Sequence, residues 1–340
     1  MKKILFVIGV LFIALAVFAA WFIPAAFIGS PAQNTIKLDI PDGISSGSLA
    51  DLLQQKGIIT SAFGYRIYTR LDKRAANIRA GEYELAPGSS FRSLSGQLSL
   101  GPPRNEISIR LIEGSSLLDI AKALIDNGVS ATSVSDLIGS RSEAKFFQPA
   151  LRDQFPFLKD LPADATLEGY LFPNTYRVWK DQLPLSLILK QLQEFSVQTQ
   201  GFAEQAAKQG RTLQDVVTLA SIVEKEANTP EERRVIAGIF LNRIKIGMRL
   251  QSDATINYIT GADRARPTAA DLQADSPYNT YRNDGLPPGP ICNPGKDSLD
   301  AALHPTASDY YFYLHDANGK VYYARNIEEH KLNRYKAYGE

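Results

Sequence analysis

Apolar positions along the chain fall into three regimes. Met1-Lys2-Lys3 is followed by an uncharged, mostly apolar run, Ile4 to Ile23, which continues through Pro24 to Ile28. That run is long enough to cross the hydrocarbon core of a bilayer. A cleaved signal peptide has a shorter apolar core and a small-x-small exit site; Ala14-Leu15-Ala16 lies mid-run, so a retained anchor is expected. No second long apolar run follows, and one span is expected. After a polar linker, Pro31 to Asn34, the pattern becomes a repeat: a short alternating strand, a turn ending in Gly, a Ser placed to cap, and an amphipathic helix. Leu38–Ile58 and Ile109–Val129 are full copies, and aligning Gly43 with Gly114 also aligns Ala50 with Ala121, Leu53 with Leu124 and Gly57 with Gly128. Leu85–Leu98 is a weaker third copy, entered by a strand at Gly81–Leu85.

The third regime is helical. Leu185, Leu187, Ile188 and Leu192 mark a helix within 183–200. Leu213, Val216, Val217, Ala220, Val223 and Ala227 mark an amphipathic or fully packed helix. A second begins at about Glu231, after a turn at Asn228-Thr229-Pro230 that suits a helix start. Residues 276–295 hold SPYNTY, GLPPGP and NPG, which exclude a regular helix or central strand; long irregular loops in compact domains are usually functional. A helix around 299–303 ends before Pro305, and a basic helical tail begins at Ile327. Tyr310–Leu314 and Val321–Tyr323 flank Asp316-Ala317-Asn318-Gly319, a hairpin pattern whose tyrosines, near 311 and 322, read as cross-strand packing. The whole reads as α+β.

Charge and composition narrow the chemistry. The 340 residues carry a net charge of +1, so bulk electrostatics suggest no nucleic-acid partner. One cysteine, Cys292, excludes an intramolecular disulfide, and three scattered histidines do not make a zinc site. Lys2 and Lys3 are expected to stay cytoplasmic, sending the rest of the chain across the membrane. Glu224 and Glu226 stand at the end of the apolar helix. Burial disfavours a charged carboxylate, and the raised pKa that follows is what a general acid needs near neutral pH. One of the two is therefore read as the proton donor of a glycan-cleaving enzyme. Two residues apart, they point roughly 160° away from each other, so only one faces a given cleft. The apolar pattern does not choose between them.

The repeats resemble the LysM fold, a small module that grips N-acetylated glycans; plain packing units without a ligand are the alternative. The chain as a whole resembles the endolytic murein transglycosylases (MltG, or YceG-like). The resemblance rests on LEGYLFPNTYRV from Leu167, ASIVEKEA from Ala220, FLNRIKIGMRLQSD ending at Asp253, SPYNTYRNDGLPPGPICNPG ending at Gly295, and His304-Pro305. It implies an anchor over 1–28, LysM-like modules over 35–130, and a lysozyme-like, mainly helical catalytic domain with a β-hairpin over 131–340. It also implies cleavage of the MurNAc-β-1,4-GlcNAc bond within nascent strands, a 1,6-anhydro end, and no metal or cofactor. Such an enzyme is a lyase that terminates strand elongation. It sits in the cytoplasmic (inner) membrane with its catalytic part periplasmic, a place that suits peptidoglycan synthases as partners. The acid of lytic transglycosylases precedes a small residue, usually Ser, which favours Glu226, before Ala227, over Glu224. Gln251 and Asp253 are candidates for binding sugar hydroxyl or acetamido groups, or else cap a turn. Tyr278, Asn279 and Tyr281 are expected in the cleft, with Glu168, Asn174 and Tyr176 closing its other wall or forming a structural corner. A water-using muramidase, with Glu168 or Asp253 as second carboxylate, and a non-catalytic wall-binding scaffold are the competing readings.

Overall fold

In the computed structural model, residues 2–72, 77–102, 105–262, 264 and 266–339 are described. The side chains of Lys2 and Lys3, on which the expected orientation rests, lie outside them, as does Pro103 of the expected break at 101–103. Two compact units are defined, Met1–Arg104 and Asn105–Glu340.

The smaller unit opens with α1 (Lys2–Ile23), which runs into a π-helical turn at Pro24–Ile28. The apolar stretch Phe6–Ile28 has a mean hydropathy of 2.8 and is long enough to cross a membrane. Then follow β1 (Ile36–Ile40), α2 (Ser46–Gln55), α3 (Ala62–Leu71), β2 (Gly81–Leu85) and α4 (Phe91–Leu100). β1 and β2 pair antiparallel, Leu38 opposite Tyr83, so alternate residues Leu38, Ile40, Tyr83 and Leu85 enter one core. Ser45 and Ser90 cap α2 and α4 by accepting from the backbone N–H three residues on.

The larger unit begins with β3 (Glu106–Arg110), α5 (Leu117–Asp126), α6 (Ala131–Ile138) and α7 (Ala150–Gln154). β4 (Thr175–Trp179), α8 (Leu185–Gln198), α9 (Phe202–Lys208), α10 (Leu213–Glu226) and α11 (Pro230–Lys245) come next. It closes with α12 (Asp253–Thr260), α13 (Lys296–Leu303), the hairpin β5 (Phe312–His315) and β6 (Val321–Ala324), and α14 (Ile327–Tyr338). β3 pairs with β4 across the helices and loops of residues 111–174, Ile109 opposite Tyr176. The unit boundary falls inside the 35–130 span that the repeat pattern groups together. The first and third copies lie in the smaller unit, and the second, β3 with α5, lies in the larger.

α10 is the centre of the larger unit. Thr212 and Asp215 form a reciprocal capping box that starts it. Every residue from Val216 to Val223 is buried, so the helix is packed all round rather than amphipathic. Each buried Val, Leu or Ile there contributes about 1.5–3 kcal/mol relative to exposure. The Ser221 hydroxyl on this stretch is satisfied: its Oγ donates to Thr218 O and accepts from Ile291 N–H. α11 packs beside the His304-Pro305 turn, where Thr306 N–H donates to Arg234 O at 2.9 Å. A side chain at Gly238 would run into the Thr306 carbonyl, which explains a glycine in mid-helix.

Candidate active site

Irregular loops built on a few buried polar residues hold the site. Asn293, from the NPG segment, is 1% exposed. Its Oδ1 accepts from Gly169 N–H at 3.0 Å and Leu171 N–H at 2.9 Å, while its Nδ2 donates to Ser115 O at 2.9 Å and Glu168 at 3.3 Å. It thereby joins the LEGYLFPNTYRV loop to the second repeat. Asn279 is fully buried and organises its own loop, donating to Leu272 O and Ala274 O and accepting from Tyr281 N–H. Arg243, from α11, donates to Tyr311 O at 2.7 Å and Leu250 O at 2.5 Å, fixing the start of the hairpin and the segment before Gln251 together. Gln251 takes a left-handed backbone with φ of 49° and is held by Thr280 O.

Glu226 occupies the point where these supports converge. It is the last residue of α10 and is partly exposed, unlike the eight buried residues before it. Ser252 Oγ donates to its Oε1 at 2.5 Å and Tyr313 Oη to its Oε2 at 2.8 Å. Burial pushes its carboxyl above the usual 4.5, and the neighbouring Asp253 charge pushes the same way. The two hydroxyls and the charge of His315 pull against that rise. Asp253 accepts from Tyr281 Oη at 2.5 Å, which keeps both side chains in the same cluster. The arrangement presents a proton that burial favours keeping, on a residue that is itself only partly buried. That is the chemistry of a general acid.

Glu224 is placed differently. Its side chain is 6% exposed, Oε1 is 3.1 Å from Arg233 Nη2 and Oε2 accepts from Gly295 N–H at 2.9 Å. Both oxygens are committed, one to the Arg233 guanidinium and one to a backbone amide. Glu224→Gln is expected to cost about 3–5 kcal/mol by leaving Arg233 buried and unpaired, with turnover per folded molecule retained. Denaturation and activity titrated on the same preparation check this.

Of the other sequence candidates, Gln251, Asp253 and Tyr281 come together around Glu226 through Ser252 and Thr280. Tyr278 packs against Tyr258 with the rings tilted, and under Arg141. Glu168, Asn174 and Tyr176 have their described contacts elsewhere. Tyr176 is buried, its hydroxyl spent on Phe172 O at 2.7 Å. Asn174 Oδ1 accepts from Thr175 N–H, and the residue borders an open hollow beside Glu224. Glu168 is 3% exposed and accepts from Leu117 N–H, the first residue of α5. Two residues of the cluster were not singled out in the sequence. Ser252 sits between two that were. Tyr313 was read with the hairpin tyrosines as packing; it does pair with Tyr323, but its hydroxyl reaches a helix end 87 positions back.

Removing the hydroxyls has a calculable sign. Both lower the Glu226 carboxyl's pKa, so Ser252→Ala and Tyr313→Phe raise it further. The alkaline limb of the rate profile, where the acid is lost, is expected to move to higher pH in each variant. A limb that stays put or moves down would separate these hydroxyls from the ionisation of Glu226.

Glu168 supplies a second pH signature. Burial raises its carboxyl from 4.5 to about 7, against the Leu117 hydrogen bond and the Arg141 charge. Between those values the folded chain holds a proton that the unfolded chain has released. Stability therefore falls as pH rises through that window, by on the order of 3 kcal/mol. Thermal unfolding of Glu168→Gln should lose that slope.

A packed helical unit presenting among hydroxyls one carboxyl whose pKa burial raises defines an acid–base centre. The chain belongs to the YceG-like family, whose model matches residues 38–336. The endolytic murein transglycosylase of Bacillus subtilis (strain 168) is 33% identical over 307 residues, covering 88% of this chain and 84% of that protein. The endolytic murein transglycosylase of Streptococcus pneumoniae serotype 2 is 30% identical over 328 residues, 90% of this chain and 59% of that longer protein. A crystal structure of a yceG-like protein from Listeria monocytogenes superposes with a TM-score of 0.58 at 31% identity, covering 89% of this chain and all of the other.

Proposed function

We propose that this chain is a membrane-anchored endolytic lytic transglycosylase. It cuts the MurNAc-β-1,4-GlcNAc bond of nascent peptidoglycan strands and leaves a 1,6-anhydro-MurNAc end, which terminates elongation of the strand. The observation that carries this is the setting of Glu226, a partly exposed carboxyl held by Ser252 and Tyr313 and favoured in its protonated form; the names of the relatives supply the substrate.

Glu226 gives its proton to the glycosidic oxygen as the C1–O bond breaks. Positive charge gathers at C1, where the substrate's acetamido group and nearby dipoles stabilise it, with Asp253 contributing. The sugar's own C6 hydroxyl closes onto C1, and its proton goes to Glu226, which is restored without water. Gln251, Asp253 and Tyr281 border the acid and are assigned to the sugars on that side. The apolar N-terminal helix serves as a single-pass anchor in the inner membrane, and the rest of the chain works on its periplasmic face beside the synthases. The strand–turn–helix copies act as LysM-like glycan grips, and the helices around α10 as the lysozyme-like core.

Asp253 favours one second reading, since its charge lies near enough to act on Glu226. As a base it would activate water, making the enzyme a hydrolytic muramidase. Digestion of purified uncrosslinked glycan strands, with product ends weighed by mass spectrometry, decides between them. Anhydro ends are about 18 Da lighter than reducing ends, by the loss of one water. Reducing ends alone would overturn the transglycosylase reading.

A further inference from the structure

We infer that a cavity in the larger unit, walled by α5, α6 and α12, binds the carboxylate-terminated end of a peptidoglycan stem peptide, with Arg141 as its counter-charge. The inference rests on the reading of the substrate as nascent peptidoglycan. The cavity has a volume of about 670 Å³, a size suited to a small organic ligand. Leu117, Ala121, Val134, Ile138 and Ile259 make its walls apolar. Three charged side chains line it: Arg141, Glu143 and Glu168. Glu143 is taken up by Lys145 at 3.1 Å. Glu168 has its oxygens on Leu117 N–H, Asn293 and Tyr258. Arg141 makes no ion pair among the described residues, and its guanidinium lies 4.0 Å from the Tyr278 ring centre and 5.4 Å from that of Tyr258. Two aromatic faces thus orient a planar cation whose fork matches a carboxylate. An apolar chamber with one exposed cation that is in no ion pair among the described residues, though its charge already acts on Glu168, selects a ligand with small alkyl side chains and a terminal carboxylate. An uncrosslinked stem peptide, which ends in alanine, has that form.

The reach also fits. α12 starts at Asp253, whose charge acts on Glu226, and its far end, Tyr258 to Thr260, lines the cavity. Eight residues of helix span about 12 Å. Five extended residues of a stem peptide cover up to about 17 Å, enough to span that length of helix. A stem peptide hanging from the muramic residue at the scissile bond therefore places its terminus at Arg141.

Calorimetry on the full-length chain in detergent, with a synthetic stem pentapeptide ending in two D-alanines, its C-terminal amide, and palmitate, tests this. The free acid is expected to bind about tenfold more tightly than the amide, and Arg141→Gln to erase the difference. Ala121→Leu, which fills the chamber without touching Arg141, should weaken both peptides. Equal binding of acid and amide, acid binding untouched by Arg141→Gln, no peptide binding at all, or binding of palmitate alone would each overturn the proposal. In a cleavage assay Arg141→Gln should lower kcat/KM on peptide-bearing strands and leave it unchanged on strands stripped of peptide; an equal fall on both would count against it. If the wild-type chain cuts neither substrate, the catalytic reading fails, while the calorimetry still judges the cavity.

Discussion

Glu226→Gln is expected to lose cleavage of glycan strands by about a thousandfold or more while the chain stays folded. General acid catalysis alone contributes typically 10²–10⁴-fold, and in the anhydro mechanism the same group serves both as the donor and as the acceptor of the returning proton. Gln keeps the volume of Glu; its one carbonyl oxygen accepts from one of the Ser252 and Tyr313 hydroxyls, and the other hydroxyl rotates to accept from the amide NH2. The substitution therefore removes the proton and little else, and unfolding in denaturant should match wild type within about 1 kcal/mol. Turnover of purified strands within tenfold of wild type would remove Glu226 from the chemistry. Loss in Glu224→Gln instead, measured per folded molecule, would transfer the role two residues back, which the Arg233 and Gly295 contacts of Glu224 argue against.

The second large effect concerns stability. Asn293→Ala is expected to cost on the order of 3–5 kcal/mol, because two backbone N–H groups, of Gly169 and Leu171, lose their shared acceptor in a buried place. Neither finds a substitute easily. Gly169 has a φ of 89°, and the space where a Cβ would sit is filled by Pro290, 2.5 Å away, and Val217, 2.9 Å away, so the loop has no room to shift. The Nδ2 bonds to Ser115 and Glu168 disappear as well. Thermal and denaturant unfolding read this directly. A loss below about 1 kcal/mol would mean the loops are held by something other than this amide. Asn293→Asp is informative beside it: the backbone donors keep an acceptor, while a second carboxylate is set against Glu168.

Much of the architecture was legible along the chain because it depends on neighbours in sequence. The serines placed to cap the repeat helices do cap them: Ser45, Ser90 and Ser116 each accept a backbone N–H from the first turn. The hairpin forms around Asp316–Gly319 and the loops of 276–295 stay irregular, as their Pro and Gly content requires. Strand partners were not legible. β1 pairs with β2, the strand entering the third copy, whereas β3 of the second copy pairs with β4, which belongs to no repeat, and the second repeat is absorbed by the larger unit. Pairing depends on which apolar faces meet in three dimensions, which a local pattern does not encode.

The same division runs through the active site. Sequence alone determined that a greasy helix ends in two carboxylates and that only one of them can face a cleft, because helical geometry depends on residue spacing. Which one is tied to a cation and which is held only by hydroxyls was a tertiary decision. Arg233 from the next helix and the Gly295 amide close around Glu224, while Ser252 and Tyr313, from a loop and a hairpin far along the chain, open onto Glu226. A carboxyl's proton affinity is set by the groups within a few ångströms of it, and folding alone brings them there.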